Sequence, residues 1–209
     1  MQYEYFKDQS ALWPQEGRHI LAHQDDAHIV VYQAYRDSIA DYALAHQRFG
    51  GDFSFSRMSW IKPNFLWMMF RAGWASKEGQ ERILAITLRR AFFDRLLASA
   101  VASGYQGSDF ESREAWQAAM ASSDVRLQWD PDHDPAGAPV QRRAVQLGLR
   151  GRSLEEYGTT AIVGIEDMTA FVKAQHAHVG AQHERLLLPR ERVYVPAADA
   201  ASNIGLDDH

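Results

Sequence analysis

The chain of 209 residues contains no cysteine. This absence excludes disulfide bonds, thiolate metal sites and a cysteine nucleophile, and it is in keeping with a reducing compartment. The sequence also lacks glycine-rich phosphate loops, the Gly-x-Ser-x-Gly elbow and the His-Glu-x-x-His zinc pattern. Several common enzyme classes are therefore excluded in their usual forms.

Long apolar runs are absent as well. The richest stretch, residues 65–70, ends at Arg71, far short of the roughly 20 residues that a transmembrane helix needs. Residues 1–8 have neither the basic start nor the apolar run of a signal peptide. We therefore expect a cytoplasmic protein that has no membrane partner.

The composition is that of a globular domain, with 46% hydrophobic and 23% charged residues. Lys and Arg together number 22 against 27 Asp and Glu, which gives a net charge of −5. This balance argues against a general nucleic-acid coat protein but allows a local basic cleft. The length predicts one domain over residues 1–209, with irregular ends at 1–17 and 204–209.

Hydrophobic periodicity predicts a mixture of strands and helices. The predicted strands cover residues 18–22, 29–35, 56–62, 83–88, 125–129, 143–149, 161–165 and 192–195. The predicted helices cover residues 37–48, 64–75, 92–103, 111–122 and 169–178. Two predicted hairpins, 19–35 and 125–149, favour antiparallel pairing, and residues 130–139 are predicted as a long loop. The fold class is therefore α+β, with a largely antiparallel sheet, whole or split, flanked by helices.

The segment 57–74 contains three tryptophans and three cations. On a strand, Met58, Trp60 and Lys62 share one face and Arg57 lies on the other. Lys62 directly precedes a predicted helix N-terminus, where free N–H groups favour an anion such as phosphate. The flanking tryptophan rings would stack on a base or a nicotinamide ring. The alternative is that the aromatic residues are core and the cations are solvated.

Polar residues inside predicted strands raise a second question. Gln33 and Gln146 must find hydrogen bonds if they are buried, and either a ligand amide or the neighbouring backbone would supply them. Gly148 allows close approach of a ligand or of another chain. Glu166, at the end of a strand, is a candidate general acid or base, and Asp167 is a candidate helix cap.

No metal site is predicted. Asp130, Asp132 and Asp134 could hold a hard cation in a loop, but a solvated acidic loop is the more common arrangement. His176 and His178 are two positions apart and would point to different sides of a helix.

Three stretches carry a resemblance to a known family. They are Val-Tyr-Gln-Ala-Tyr at 31–35, Trp-Ile-Lys-Pro-Asn-Phe-Leu-Trp-Met-Met at 60–69 and Val-Gln-Leu-Gly-Leu-Arg-Gly at 145–151. These stretches resemble domain of unknown function 4291, and the likeness covers nearly the whole chain. The sequence departs from the family pattern at Leu21, where a second basic residue after Arg18 is expected.

The order of elements more distantly resembles the ADP-ribosyltransferase fold, which implies NAD as a substrate. The resemblance assigns six cofactor-binding residues: Arg18, Gln33, Tyr35, Arg57, Trp60 and Lys62. In that reading Gln33 or Tyr35 faces NAD, Arg57 and Lys62 bind the pyrophosphate, and Trp60 or Tyr35 stacks. The catalytic position falls on Gln146 or Glu166.

Two functions follow as hypotheses. The first is an NAD-dependent ADP-ribosyltransferase that acts on nucleic acid or protein. The alternative is a non-enzymatic module that binds a phosphate-bearing ligand such as single-stranded nucleic acid, with an affinity that falls as salt rises. The oligomeric state is left open.

Overall fold

The computed structural model describes residues 1–106, 110–180 and 183–207. In these residues the chain forms twelve β-strands and eight α-helices. The strands are β1 (Tyr3–Tyr5), β2 (Gly17–Arg18), β3 (Leu21–Ala22), β4 (His28–Tyr35), β5 (Ser59–Ile61), β6 (Arg82–Arg89), β7 (Val101–Ala102), β8 (Val125–His133), β9 (Pro139–Leu149), β10 (Ile162–Asp167), β11 (Leu187–Pro189) and β12 (Arg192–Val193). The helices are α1 (Phe6–Ser10), α2 (Asp37–His46), α3 (Phe65–Ala72), α4 (Arg90–Ser99), α5 (Arg113–Ser122), α6 (Gly151–Thr159), α7 (Thr169–His176) and α8 (Ala198–Ile204).

A three-stranded antiparallel sheet, in the order β10-β6-β4, runs through the centre of the molecule. Strands β4 and β6 are rich in β-branched and other apolar residues on both faces, as expected for strands that are buried on both sides. One face packs into a core cluster that includes Ile29, Val31, Leu84 and Ile86. The other face packs into a second cluster that includes Val30, Tyr32, Ile83 and Ala85.

The second main sheet has the order β2-β9-β8-β7, and β5 also pairs with β9. Strands β8 and β9 form the predicted hairpin. The short strands β2 and β7 join it in parallel, β2 beside β9 and β7 beside β8. One face of this sheet, with Leu127, Val145 and Leu147, packs into the same core as one face of β4.

A backbone bridge between Tyr32 and Lys62 connects the two sheets. The N–H of Tyr32 donates to the carbonyl oxygen of Lys62 at 2.7 Å. Short antiparallel pairs, β1 with β11 and β3 with β12, complete the strands. The predicted α+β class, with a split and largely antiparallel sheet, is confirmed.

The ends of the chain are more regular than predicted. Residues 1–17 contain β1 and α1, and β1 pairs with β11 near the other end of the sequence. A pairing over such a distance leaves no local signal in the sequence. Helix α8 ends at Ile204 and residues 205–207 have no regular structure, while residues 208–209 lie outside the described residues.

The predicted loop at residues 130–139 is much shorter in the structure. Strand β8 continues to His133 and β9 begins at Pro139. Asp132 lies inside β8, where it is buried and accepts hydrogen bonds from Arg142 at 2.6 and 2.9 Å. This buried ion pair supports the extended pairing, so the acidic run is not a solvated loop.

Local signals place the helix that follows β5. Asn64 is its N-cap and accepts from the N–H of Trp67 at 2.6 Å, while Gly73 ends it with a positive φ of 56°. Among the described residues, no helix is long and apolar enough to cross a membrane. In the same residues, no group of three or more His, Asp or Glu is arranged to hold a metal ion.

Candidate functional site

The structure turns Gln33 into the protein interior. Its amide nitrogen donates to the Ser59 hydroxyl at 2.8 Å and to the Trp60 carbonyl at 3.1 Å. Its amide oxygen accepts from the Tyr157 hydroxyl at 2.6 Å. Both amide N–H groups and the oxygen therefore have partners within the chain, so the side chain has little capacity left for a ligand.

Tyr35 belongs to the same interior network. Its hydroxyl shares a hydrogen bond of 3.1 Å with Ser59, and its ring packs edge-on against Phe49 and Phe53. Burial raises the pKa of Tyr35 above its ordinary value, and the hydrogen bond to Ser59 opposes this only in part. We call the cluster of Gln33, Tyr35, Ser59 and Tyr157 the glutamine network.

The N-terminus of α3, which the sequence suggested as an anion site, already carries a carboxylate of the chain. Oε1 of Glu191 accepts from the N–H of Phe65 at 2.7 Å, and the side chain of Asn64 accepts from Trp67. Glu191 is 1% exposed. Burial raises the pKa of Glu191 well above its ordinary value, while the bond from Phe65 favours the charged form.

Trp60, Lys62 and Gln146, three of the predicted site residues, lie on one face of the second sheet. Trp60 is directly opposite Gly148 across β5 and β9, and a Cβ at Gly148 would come within 3 Å of both Trp60 and Met58. The close approach at Gly148 is therefore made by the chain's own segment at β5, an alternative that was not predicted from the sequence. We call the group of Trp60, Lys62, Gln128, Asp130 and Gln146 the lysine face.

Asp130 is held in place on the lysine face by two amides. Its carboxylate accepts from Gln128 at 2.8 Å and from Gln146 at 2.7 Å. Gln128 and Gln146 are directly opposite each other across β8 and β9, so the two amides hold the carboxylate from adjacent strands.

Lys62, on the lysine face, is buried to an extent that is unusual for a lysine, since it is only 5% exposed. In the described part of the chain, no hydrogen bond or ion pair reaches its ammonium group. Part of the ammonium group nevertheless remains accessible to solvent. Burial, and then the charge of Arg71, lower the pKa of Lys62 to about 8, while Asp130 acts in the opposite direction.

Two predicted site residues do not join this group. Arg57 is exposed, and the structure gives its side chain no interaction with any described residue. Glu166 is exposed on β10, in the other sheet, and lines a separate cavity of about 300 Å³ together with His23, Thr87 and Arg190. The two proposed catalytic positions, Gln146 and Glu166, are thus in different sheets.

Arg18 lies in a different and larger depression. The parallel pairing of β2 with β9 places Arg18 beside Arg143. Both arginines line two cavities, of about 840 Å³ and 880 Å³. Trp129 lines the first of these with Ser103 and Gly104. We call the region formed by Arg18, Arg143, Trp129, Ser103 and Gly104 the arginine cleft.

The arginine cleft holds unbalanced positive charge. Within residues 1–106, 110–180 and 183–207, neither Arg18 nor Arg143 has an ion-pair partner for its side chain. Asp207, a carboxylate on the lining of the second cavity, accepts from the backbone N–H of Arg18 at 2.8 Å. Like charges directly opposite each other across paired strands are unfavourable, so an anion between the two guanidinium groups would stabilise them.

Sequence reasoning missed Arg143 and Trp129. The available signal is the adjacent pair Arg142 and Arg143, because consecutive strand residues point to opposite faces. Arg142 forms its buried ion pair with Asp132 on one face of β9, which places Arg143 on the opposite face, where it is exposed.

The family expectation is confirmed. A family model described as a domain of unknown function, DUF4291, matches residues 19–194, and the chain belongs to this family. A search of curated proteins finds no match. The family description assigns no activity, so the function rests on the site.

Proposed function

We propose that the protein binds a phosphate-bearing ligand of nucleotide size in the arginine cleft. The observation that carries this proposal is the pair Arg18 and Arg143, which lie side by side on β2 and β9. Neither has an ion-pair partner among the described residues. Two arginines on adjacent strands can offer guanidinium groups for the planar, bidentate bonding that arginine forms with phosphate.

The size and lining of the cleft suit such a ligand. Its cavities of about 840 Å³ and 880 Å³ are within the range of small-molecule sites, roughly 300–1,000 Å³. The half-buried ring of Trp129 is fixed by a bond of 3.0 Å from its Nε1 to the Ile204 carbonyl. A fixed aromatic wall next to a pair of cations is an arrangement that accepts a base together with its phosphates.

Calorimetric titration with ADP tests the proposal. We expect wild type to bind ADP, and we expect Arg18→Gln and Arg143→Gln each to weaken binding about tenfold or more, since a hydrogen bond to a charged group is worth about 1.5–3 kcal/mol. Arg48→Gln is the matched control, because Arg48 is exposed and lines neither cavity. Equal affinities in all four proteins would overturn the proposal.

ADP-ribosyl transfer from NAD is the second candidate, and one observation favours it. Gln128 lines the arginine cleft and is joined through Asp130 to Gln146. This polar chain would allow Gln146 to orient an acceptor beside NAD held in the cleft. In that reaction the bond between ribose and nicotinamide breaks, the acceptor bonds to the ribose carbon, and the site stabilises positive charge on the ribose.

Labelled NAD decides between transfer and binding. The purified protein is incubated with it and, in separate mixtures, with RNA, single-stranded DNA or cell lysate, beside Arg143→Gln and Arg48→Gln. Label transfer that is lost in Arg143→Gln alone would support a transferase and give the acceptor class. Absence of both transfer and nicotinamide release would leave the binding function, and a steep fall of oligonucleotide affinity with salt would then favour single-stranded nucleic acid over a mononucleotide.

A further inference from the structure

We propose that Lys62 is a reactive amine that forms an imine with a small aldehyde or ketone carrying an anionic group. The proposal concerns the lysine face and is independent of ligand binding in the arginine cleft. Its starting point is a lysine whose side chain is 5% exposed and whose amine reaches solvent without a hydrogen-bond or ion-pair partner in the described part of the chain.

A buried lysine without a partner is unfavourable for stability, because removing an ammonium group from water costs several kcal/mol. Structural lysines in folded proteins are normally exposed or paired. Burial also favours the neutral amine, which is the nucleophilic form of lysine. The geometry of Lys62 is thus poorly suited to a structural role and well suited to attack on a carbonyl carbon.

The surroundings of Lys62 supply the other groups that imine formation needs. Two charged residues influence it, Arg71 at the end of α3 and Asp130 on β8. The structure gives no ion pair between Lys62 and Asp130, both of which it describes, so the carboxylate does not hold the amine in a salt bridge. Arg71 is exposed and would bind the anionic group of the carbonyl compound.

The step balances without any further reactant. The amine nitrogen bonds to the carbonyl carbon and gives a carbinolamine. The two hydrogens of the neutral amine then leave with the carbonyl oxygen as water, and a C=N bond replaces C=O. In the proposed step Asp130 takes a proton from nitrogen and returns it to oxygen, and the carboxylate is oriented by Gln128 and Gln146.

Pyridoxal 5′-phosphate followed by borohydride is a direct probe, because it marks an imine permanently and also carries a phosphate. The chain offers Lys7 and Lys173 as exposed internal controls. At pH 7.5 a pKa of about 8 leaves about a quarter of the amines neutral, against about one in a thousand for an ordinary lysine. We expect peptide mass spectrometry to show Lys62 labelled at least about tenfold faster than either control.

Three comparisons make the outcome decisive. The labelling rate of Lys62 should rise with pH around a midpoint of about 8. Pyridoxal without the phosphate should label Lys62 more slowly, and Arg71→Gln should remove this difference while leaving Lys62 reactive. Labelling of Lys62 no faster than that of Lys173 would overturn the proposal, and so would equal rates with both aldehydes.

The experiment is separate from the test of the arginine cleft. Arg143→Gln should leave the labelling of Lys62 unchanged, and ADP should not protect it. Lys62→Met should lose the label at this position and retain it at Lys173. Loss of ADP binding with labelling intact would therefore count only against the proposed function, and the reverse result only against the reactive lysine.

Discussion

The glutamine network and the arginine cleft differ in how far the fold satisfies their polar groups. In the network, the amide nitrogen and oxygen of Gln33 bond to Ser59, Trp60 and Tyr157. In the cleft, Arg18 and Arg143 lie directly opposite each other on β2 and β9, and neither side chain has an acidic partner among the described residues. A polar residue on a strand is therefore structural when the fold completes its bonds, and a candidate for binding when it does not.

The adjacent residues Arg142 and Arg143 show the same contrast within one strand. Arg142 is buried, forms an ion pair with Asp132 and donates to the Pro14 carbonyl at 2.6 Å. Arg143 is exposed and lines the cleft. Residue type alone cannot separate these roles, because strand alternation and the partner on the next strand decide them.

Breaking the glutamine network should have the largest effect on stability. Gln33→Leu leaves the Tyr157 hydroxyl and the Trp60 carbonyl without their partner, and each buried polar group left unsatisfied costs about 1–3 kcal/mol. We expect the free energy of unfolding to fall by about 3 kcal/mol in denaturant titrations. Gln141→Leu, at an exposed position of β9, is the control, and an equal loss in both variants would show that Gln33 is not a structural residue.

Replacing Lys62 should change the free energy of unfolding by an intermediate amount, and this change should depend on pH. Its folded pKa is about 8 against an ordinary value of 10.5, so between these values the unfolded state holds a proton that the folded state has released. The stability of wild type should therefore rise through this window. Lys62→Met has no such group, and at pH 7 it should be more stable than wild type by about 2 kcal/mol.

The measurement for Lys62 is the difference in unfolding free energy between wild type and Lys62→Met at several pH values from 7 to 10. Groups common to both proteins cancel in this difference. We expect the advantage of the variant to shrink as pH rises above 8, and a constant difference would mean that the pKa of Lys62 is not lowered in the folded state.

Replacing Arg57 should have the smallest effect, and the quantity to measure is the affinity for ADP. The sequence suggested that it binds pyrophosphate, but its side chain is exposed and has no interaction with any described residue. We expect Arg57→Gln to change the affinity for ADP less than about twofold, in line with the small effect of most surface substitutions. A loss of ADP affinity as large as that caused by Arg143→Gln would indicate that the phosphate binds near the segment before β5.

Sequence patterns were most successful where the signal is local. The apolar runs of β4 and β6, the hairpin of β8 and β9, and the helix after Asn64 follow from alternation, turn residues and caps. Helix α6, Gly151–Thr159, was not predicted, and it contributes Tyr157 to Gln33. The inward role of Gln33 was therefore not visible in its own neighbourhood.

The candidate site was only partly predictable for a related reason. Arg18 was identified, and Trp60, Lys62 and Gln146 do lie on one face. The partner of Arg18 is far along the chain, because β2 joins β9 through a parallel pairing that covers only residues 17–18 and 142–143. Such short pairings depend on tertiary packing and leave no periodic pattern in the sequence.

Among the described residues Arg18 and Arg143 have no ion-pair partner, and we propose that a phosphate binds between them. Thermal unfolding of wild type, Arg143→Gln and Arg48→Gln, each with and without ADP, tests it most directly. We predict that Arg143→Gln without ligand is at least as stable as wild type, because one of two repelling charges is gone. ADP should raise the Tm of wild type and of Arg48→Gln but not that of Arg143→Gln, and an equal rise in all three proteins would contradict the claim.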